Sequence, residues 1–345
     1  MSEVSESLSL CQSKNKIKRE ERMKTLYIIG NGFDIAHQLE TRYSDFRDWF
    51  RRQNYEVYRG ARDFVNEIEK YTKDVNLWSD FERALGSIHS TQYLKYIIEE
   101  TKSEHPKDAY VTVADAVFAK IEYIYKDQYR NLIKAFRDWA RDIDTEGAEE
   151  VFPELRDGDN YFFSFNYTDT LENIYNIPTE RVMHIHGYAY DERSKIVVGH
   201  GYDYNSDKYA VLALLYEELP ADGGDSADRL IEMLNETKKN TGEIVCEHLH
   251  YFHELQHRNI EKIVVLGHSY GEVDWPYFDM INGRCPDAEW ELRWHSCDDY
   301  LHAIELCAHL RLSKVNNVPS STEPNKVCKC WKVIKPVFGD ENLIK

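Results

Sequence analysis

The chain is 345 residues long and 42% hydrophobic, with 43 Lys and Arg against 61 Asp and Glu and a formal net charge of -18. That length holds one large domain or two ordinary ones, and the acidic surplus argues against broad binding of nucleic acid or anionic membranes, which rests on clustered positive charge. No apolar run approaches the ~20 residues of a membrane helix, and the scattered cysteines, never spaced Cys-x-x-Cys, read as reduced cytosolic thiols.

Residues 1–22 are polar, lack a signal-peptide core and read as a disordered tail. Met23 directly precedes the first strand and is a candidate start of translation, which N-terminal sequencing of the native protein beginning at Met1 would refute. Leu26 to Ile29 is an unbroken apolar run that stops at Gly30-Asn31-Gly32, the pattern of a strand buried on both faces. Helical spacing follows at Tyr43 to Tyr55, then near 61–72, 77–89 and 91–103. Apolar residues recurring every three or four positions from Ala114 to Ile143 predict one long amphipathic helix. These residues read as a helical module beside or above the sheet.

The second strand is Tyr161 to Phe165, followed by a short helix from Thr168 to Tyr175. The third is Arg181 to His186 and the fourth Lys195 to Gly199. A second helical stretch covers 207–258, with a Gly-Gly-Asp loop at Gly223 to Asp225. The fifth strand, Lys262 to Leu266, again ends at glycine. A helix near 274–283, an edge strand at Glu289 to His295, a helix at Asp298 to Leu312, a loop at Val315 to Glu323 and a last short strand near Val327 to Ile334 complete the chain. Strands alternating with helices predict an α/β fold with a parallel sheet. The motifs Gly-Asn-Gly, Asn-Tyr-Thr-Asp, His-Gly and Gly-His-Ser then fall at the carboxyl ends of strands, along one crevice.

Gly30-Asn31-Gly32-Phe33-Asp34 is not a dinucleotide fingerprint, because Ile35 stands where the third glycine belongs. Its alternatives are a tight structural turn and a turn contacting phosphate or ribose. Asn166 can hold a ribose hydroxyl or a water, and Asp169 suits a helix cap. His184 and His186 lie on one face of a strand by alternation; they read either as structural histidines or as a general base. A metal site with His200 and His268 lacks supporting ligand spacing. Gly267-His268-Ser269-Tyr270-Gly271 matches the nucleophile-elbow pattern with Ser269 as nucleophile. Pro276 and the polar run Glu272 to Asp274 interrupt the helix such an elbow needs.

Leu26 to His37, Tyr43-Ser-Asp-Phe46, Trp78 to Glu82, Phe163 to Asp169, His184-Ile-His-Gly187, Val198 to Gly201 and Leu266 to Asp274 together resemble the AbiH family of bacterial abortive-infection proteins. The motifs come in the family's order across about 23 to 310. Gln38 and Glu40 stand where the family often has Gly and Pro. The same motifs are similar, more distantly, to the sirtuin fold, which holds NAD. That resemblance implies a Rossmann-like, sirtuin-like core made of 23–44, 151–206 and 259–345, with helical inserts at 45–150 and 207–258. The zinc module of sirtuin deacetylases is absent, since no Cys-x-x-Cys occurs.

Carried over, the resemblance implies that Asn166 and His186 are catalytic. Gly30, Asn31, Gly32, Phe33, Asp34, Asp169, His184, Gly187, Gly267, His268, Ser269 and Glu272 would bind the cofactor, and no metal is expected. The implied activity is hydrolysis of NAD or a related nucleotide in phage defence. A serine hydrolase using Ser269 and a non-catalytic nucleotide-sensing module are the alternatives. A small-molecule nucleotide, a phage-derived trigger protein, a homo-oligomer and a cytoplasmic location are the accompanying expectations. Phe33 and Asp34 are expected to begin a mobile loop over the crevice.

Overall fold

Six parallel strands form a single sheet in the computed structural model, which describes residues 23–71, 81–87, 91–106, 111–156, 159–201, 208–219, 227–235 and 237–319. They are β1 (Thr25–Ile29), β2 (Tyr161–Ser164), β3 (Val182–His184), β4 (Lys262–Leu266), β5 (Glu289–Trp294) and β6 (Val315–Pro319), in the order β3-β2-β1-β4-β5-β6. This is the doubly wound, Rossmann-like order, in which strand addition reverses direction between β1 and β4. β1 is buried at every position. Successive side chains point to opposite faces, so one strand supplies two cores. Leu26 and Ile28 pack with Phe163, Ile263 and Val265, while Tyr27 and Ile29 pack with Phe162, Val264 and Leu266.

Between β1 and β2 the chain forms α1 (Asn31–Ala36), α2 (Tyr43–Arg52), α3 (Arg59–Tyr71), α4 (Phe81–Ser87), α5 (Thr91–Glu104), α6 (Val113–Glu122) and α7 (Tyr129–Asp142). Apart from α1, these helices share their own core, which includes Phe46, Phe64, Ile97, Val117 and Phe136. The helix α8 (Thr170–Tyr175) joins β2 to β3. Between β3 and β4 come α9 (Lys208–Glu218), α10 (Ala227–Asn235), α11 (Thr241–Glu247) and α12 (Leu249–Leu255), then α13 (Trp275–Arg284) and α14 (Cys297–Leu310) follow β4 and β5. The pair α9 and α10 packs on α5 and α6, whereas α11 and α12 pack on α13 over one face of the sheet. No helix among the described residues is long and apolar enough to cross a membrane.

Several sequence expectations are corrected. The long periodic run is helical throughout, but Tyr123–Gln128 is a π-helix between α6 and α7. Its wider turn adds a residue to each hydrogen-bonded ring. Lys195 to Gly199 is not a strand. Its peptide groups bond singly instead: Val197 N–H donates to the His186 carbonyl at 2.9 Å, and the Tyr167 and Tyr129 hydroxyls donate to the carbonyls of Val197 and Val198. β5 is an interior strand, because Val315–Pro319, read as loop, pairs with it as β6. Phe33 and Asp34 lie buried inside α1 rather than in a mobile loop. Cys246, Cys285 and Cys307 are free thiols, but Cys297 is disulfide-bonded, against the expectation of reduced cysteines. The tail, the loop at Gly223 to Asp225 and the last strand near Val327 to Ile334 lie outside the described residues.

Glycines let the loops after β1 and β4 touch. Gly30 N–H donates to Leu266 O at 2.9 Å, Gly32 N–H to Gly267 O at 2.8 Å and Phe33 N–H to Gly30 O at 2.9 Å. Gly267 has φ +69°, and a Cβ there would overlap the Phe33 nitrogen and the Gly32 carbonyl carbon. Both the left-handed conformation and the missing space demand glycine. Gly267→Ala is therefore expected to cost more than about 2 kcal/mol in urea denaturation. Gly283→Ala, in α13 with open space around it, should stabilise by up to about 1 kcal/mol. Equal effects at the two sites would overturn this account of the loop contact.

Candidate active site

The carboxyl ends of β1, β2 and β4 open onto a cleft of about 1050 Å³, at the upper end of small-molecule and cofactor sites. It lies at the topological switch point, where open α/β sheets bind ligands. The floor comes from the loops: Gly30 to Asp34 after β1, Asn166 and Thr168 after β2, His186 after β3, and Gly267, His268 and Ser269 after β4. The opposite wall is apolar and helical, with Tyr43 of α2 and Phe136, Trp139 and Ala140 of α7. The crevice expected from the four motifs thus exists, with Asn166 and His186 both on its lining. Three amides of the glycine turn bond within the protein, so Gly30 and Gly32 serve the loop contact.

The cleft contains a buried charge network that the motifs only half disclosed. Lys239, just before α11, is 3% exposed. Its Nζ stands 2.8 Å from Asp274 Oδ1 and 3.8 Å from Glu82 Oε1. Asp274 ends a 3₁₀ turn, Glu272–Asp274, that follows β4. Its carboxyl is held well below the usual carboxylate range, against the cost of burial, by the Lys239 charge and the His268 hydrogen bond. Burial also opposes the charge on Lys239, yet Asp274 and Glu82 keep its ammonium protonated beyond the ordinary value. Glu82 and Asp274 stand in the quoted motifs, but nothing in the local pattern marks Lys239.

Two imidazoles face this carboxylate. His268 Nδ1 accepts from the Tyr270 N–H at 2.8 Å, so the ring proton is on Nε2, 3.2 Å from Asp274 Oδ2. His186 Nε2 is buried without a hydrogen-bond partner, 3.8 Å from Asp274 Oδ1. Burial and then the Lys239 charge push His186 well below the usual histidine range, so it is neutral at physiological pH.

Four residues expected at the site lie off its lining. Asp169 accepts from Thr145 Oγ1 at 3.2 Å and Asn173 Nδ2 at 2.7 Å, which anchors α8, but it makes no side-chain cap. His184 sits between the Asn166 carbonyl and Glu172 Oε1, each at 3.0 Å. It does not share a face with His186, because β3 ends at His184 and the following turn re-aims the chain. Gly187 is in that turn with φ +95°, and Glu272 is exposed. The elbow reading of Ser269 meets a correction too. The left-handed residues of the motif are Gly267 and Tyr270, at φ +69° and +61°, and not Ser269, while His302 Nδ1 contacts the Ser269 carbonyl oxygen at 3.1 Å, not its hydroxyl.

Asp34 is the other buried carboxyl of the cleft, 1% exposed. Its Oδ2 accepts from Thr168 Oγ1 at 2.7 Å, and its Oδ1 is buried with no hydrogen-bond partner. Burial raises its pKa to about 6, against smaller lowering by Thr168, Thr170, Asn166 and the His184 charge. Among the described residues, no three His, Cys, Asp or Glu side chains are grouped to hold a metal ion.

A family model described as "Bacteriophage abortive infection AbiH" matches residues 26–294 of this chain. The match takes in all the loops that floor the cleft. No curated protein matches the chain.

The Asp34 carboxyl titrates higher in the folded than in the unfolded chain. Its contribution to stability is therefore full below pH 4 and is lost as pH rises through about 6. The loss is about 3 kcal/mol by linkage. Asp34→Asn, which keeps an acceptor for Thr168, should gain about that much on wild type between pH 4 and pH 8 in urea denaturation. A pH-independent difference would count against the buried carboxyl.

Proposed function

The chain belongs to the AbiH family of bacteriophage abortive-infection proteins, and on that premise we propose that it acts in phage defence by hydrolysing the N-glycosidic bond of NAD or a related nucleotide. One observation carries the reading. His186, whose ring is hydrogen-bonded to the Phe165 backbone, presents a buried Nε2 with no partner 3.8 Å from Asp274 Oδ1, an oxygen that already receives the Lys239 ammonium at 2.8 Å and has a second lone pair to offer. The vicinal hydroxyls of a ribose supply two donors for two such acceptors.

The chemistry follows from the same groups. Breaking the bond between C1′ and the base nitrogen passes through an oxocarbenium-like state. An ionised carboxylate in a water-poor cleft stabilises developing positive charge strongly, and Asp274 is such a group. Neutral His186 accepts a proton from the ribose hydroxyl or from the attacking water. Asn166 Nδ2 donates to the Gly30 carbonyl at 3.2 Å, which fixes the amide so that its oxygen can orient that water. The aromatic wall excludes bulk solvent. Nicotinamide leaves without protonation, so this half of the cleft suffices for NAD. A phage-derived trigger, a homo-oligomeric state and a cytoplasmic location belong to the same proposal.

Incubation of the purified protein with NAD, followed by chromatography of nicotinamide, tests the reading. Release should fall about 100-fold or more in His186→Ala, Asn166→Ala and Asp274→Asn, and persist in Ser269→Ala. Binding of NAD without turnover would favour a sensing module. Labelling of Ser269 by a fluorophosphonate probe would favour the serine hydrolase.

A further inference from the structure

NAD hydrolysis leaves Asp34 without a task. Its carboxyl is in the cleft lining, its Oδ1 is buried and without a partner, and its Oδ2 ends a directed chain. Thr170 Oγ1 donates to Thr168 Oγ1 at 3.1 Å, and Thr168 Oγ1 donates to Asp34 Oδ2 at 2.7 Å. A hydroxyl has one proton to give, so both point toward Oδ2. The proton of a neutral Asp34 is thereby assigned to Oδ1, the atom with no protein partner. The turn after β2 touches both proton-handling groups. The Asn166 amide contacts Asp34, while the ring of the preceding Phe165 lies 5.0 Å from the ring of His186.

Resting on the glycohydrolase reading above, we propose that Asp34 is a general acid for the departing base, and that the substrates of the cleft include N-glycosides of uncharged purines. Nicotinamide departs from a cationic ring and needs no proton. A neutral purine is a poor leaving group until a ring nitrogen is protonated, which is what an acid at this position supplies. In the step, the C1′–N9 bond breaks and its electron pair stays with the purine. The Asp34 Oδ1 proton goes to a purine ring nitrogen. Water adds to C1′, its proton passes to His186, and solvent exchange restores both groups. One water is consumed and the free purine and the sugar are released. A carboxylic acid for the leaving base and a separate base for the water divide the work as inverting glycoside cleavage does.

The groups facing Asp34 are Thr168, Thr170 and Asn166 from the β2–α8 turn and, as the one titratable neighbour among them, His184 from β3. Burial outweighs their combined lowering, so the acid retains its proton up to about pH 6.

The test uses the full chain with AMP and with NAD as separate probes, and measures adenine and nicotinamide from pH 5 to 8. Adenine release from AMP is expected, with kcat/KM falling as pH rises through about 6. In Asp34→Asn the ratio of adenine release to nicotinamide release should drop about 100-fold, and Asp34→Glu should recover part of it. A ratio taken on one preparation does not respond to partial unfolding. Nicotinamide release without adenine release, or an unchanged ratio in Asp34→Asn, overturns the general acid. Adenine release without nicotinamide release keeps it and overturns NAD as substrate, and neither product overturns both.

Discussion

A buried ion pair between Lys239 and Asp274 is the interaction on which the site depends. The lysine arrives from the segment before α11, the aspartate from the turn after β4, and each is the strongest support for the other's charge, with His268 and Glu82 adding to it. Removing one member of such a pair typically costs about 3 to 5 kcal/mol, because the survivor is left charged and desolvated. Asp274 in turn engages His268 through its second oxygen. The loop after β4, the segment before α11 and the His268 ring are thus held by one carboxylate. The backbone contact of Gly32 with Gly267 supplies the rigid floor beneath it.

The two buried carboxyls of the cleft lining, Asp34 and Asp274, are shifted in opposite directions by their surroundings. Asp274 has an ammonium beside it and stays ionised, whereas Asp34 has hydroxyls and an amide and keeps its proton up to about pH 6. Groups of one chemical kind driven apart in this way are a common mark of a functional site. The division rests on what each element brings. The turn after β2 carries threonines to Asp34, and the segment before α11 carries a cation to Asp274.

The sheet was largely legible in the sequence because its central strands are short apolar runs ended by glycine or asparagine. Leu26 to Ile29 and Lys262 to Leu266 need no long-range information to be recognised. β6 was not legible: Val-Asn-Asn-Val-Pro pairs on one side only and carries polar residues that an interior strand would not tolerate. Lys195 to Gly199 misled in the other direction, since Ile196 and Val198 enter the helical core while the carbonyls of Val197 and Val198 are taken by tyrosine hydroxyls. The cleft lining was legible where it sits in strand-end loops. Lys239 was not, because a lysine in a polar stretch reads as solvated until tertiary contacts bury it. The separation of His184 from His186 depends on where β3 stops, and strand ends are the least determined feature of a sequence pattern.

The cleft is built from two materials. Its floor is mostly backbone and short polar side chains, fixed by glycine contacts and hydrogen bonds that a substitution would break. Its opposite wall is made of Tyr43, Phe136, Trp139 and Ala140, which project from helices stabilised by a separate core. The wall meets the strand ends through few contacts, such as Phe136 on Tyr167, whose rings lie 5.0 Å apart. Relatives built on this plan can therefore diverge in the shapes of ligand they admit while the polar groups at the strand ends stay in register, so the two walls of the cleft evolve on different parts of the chain.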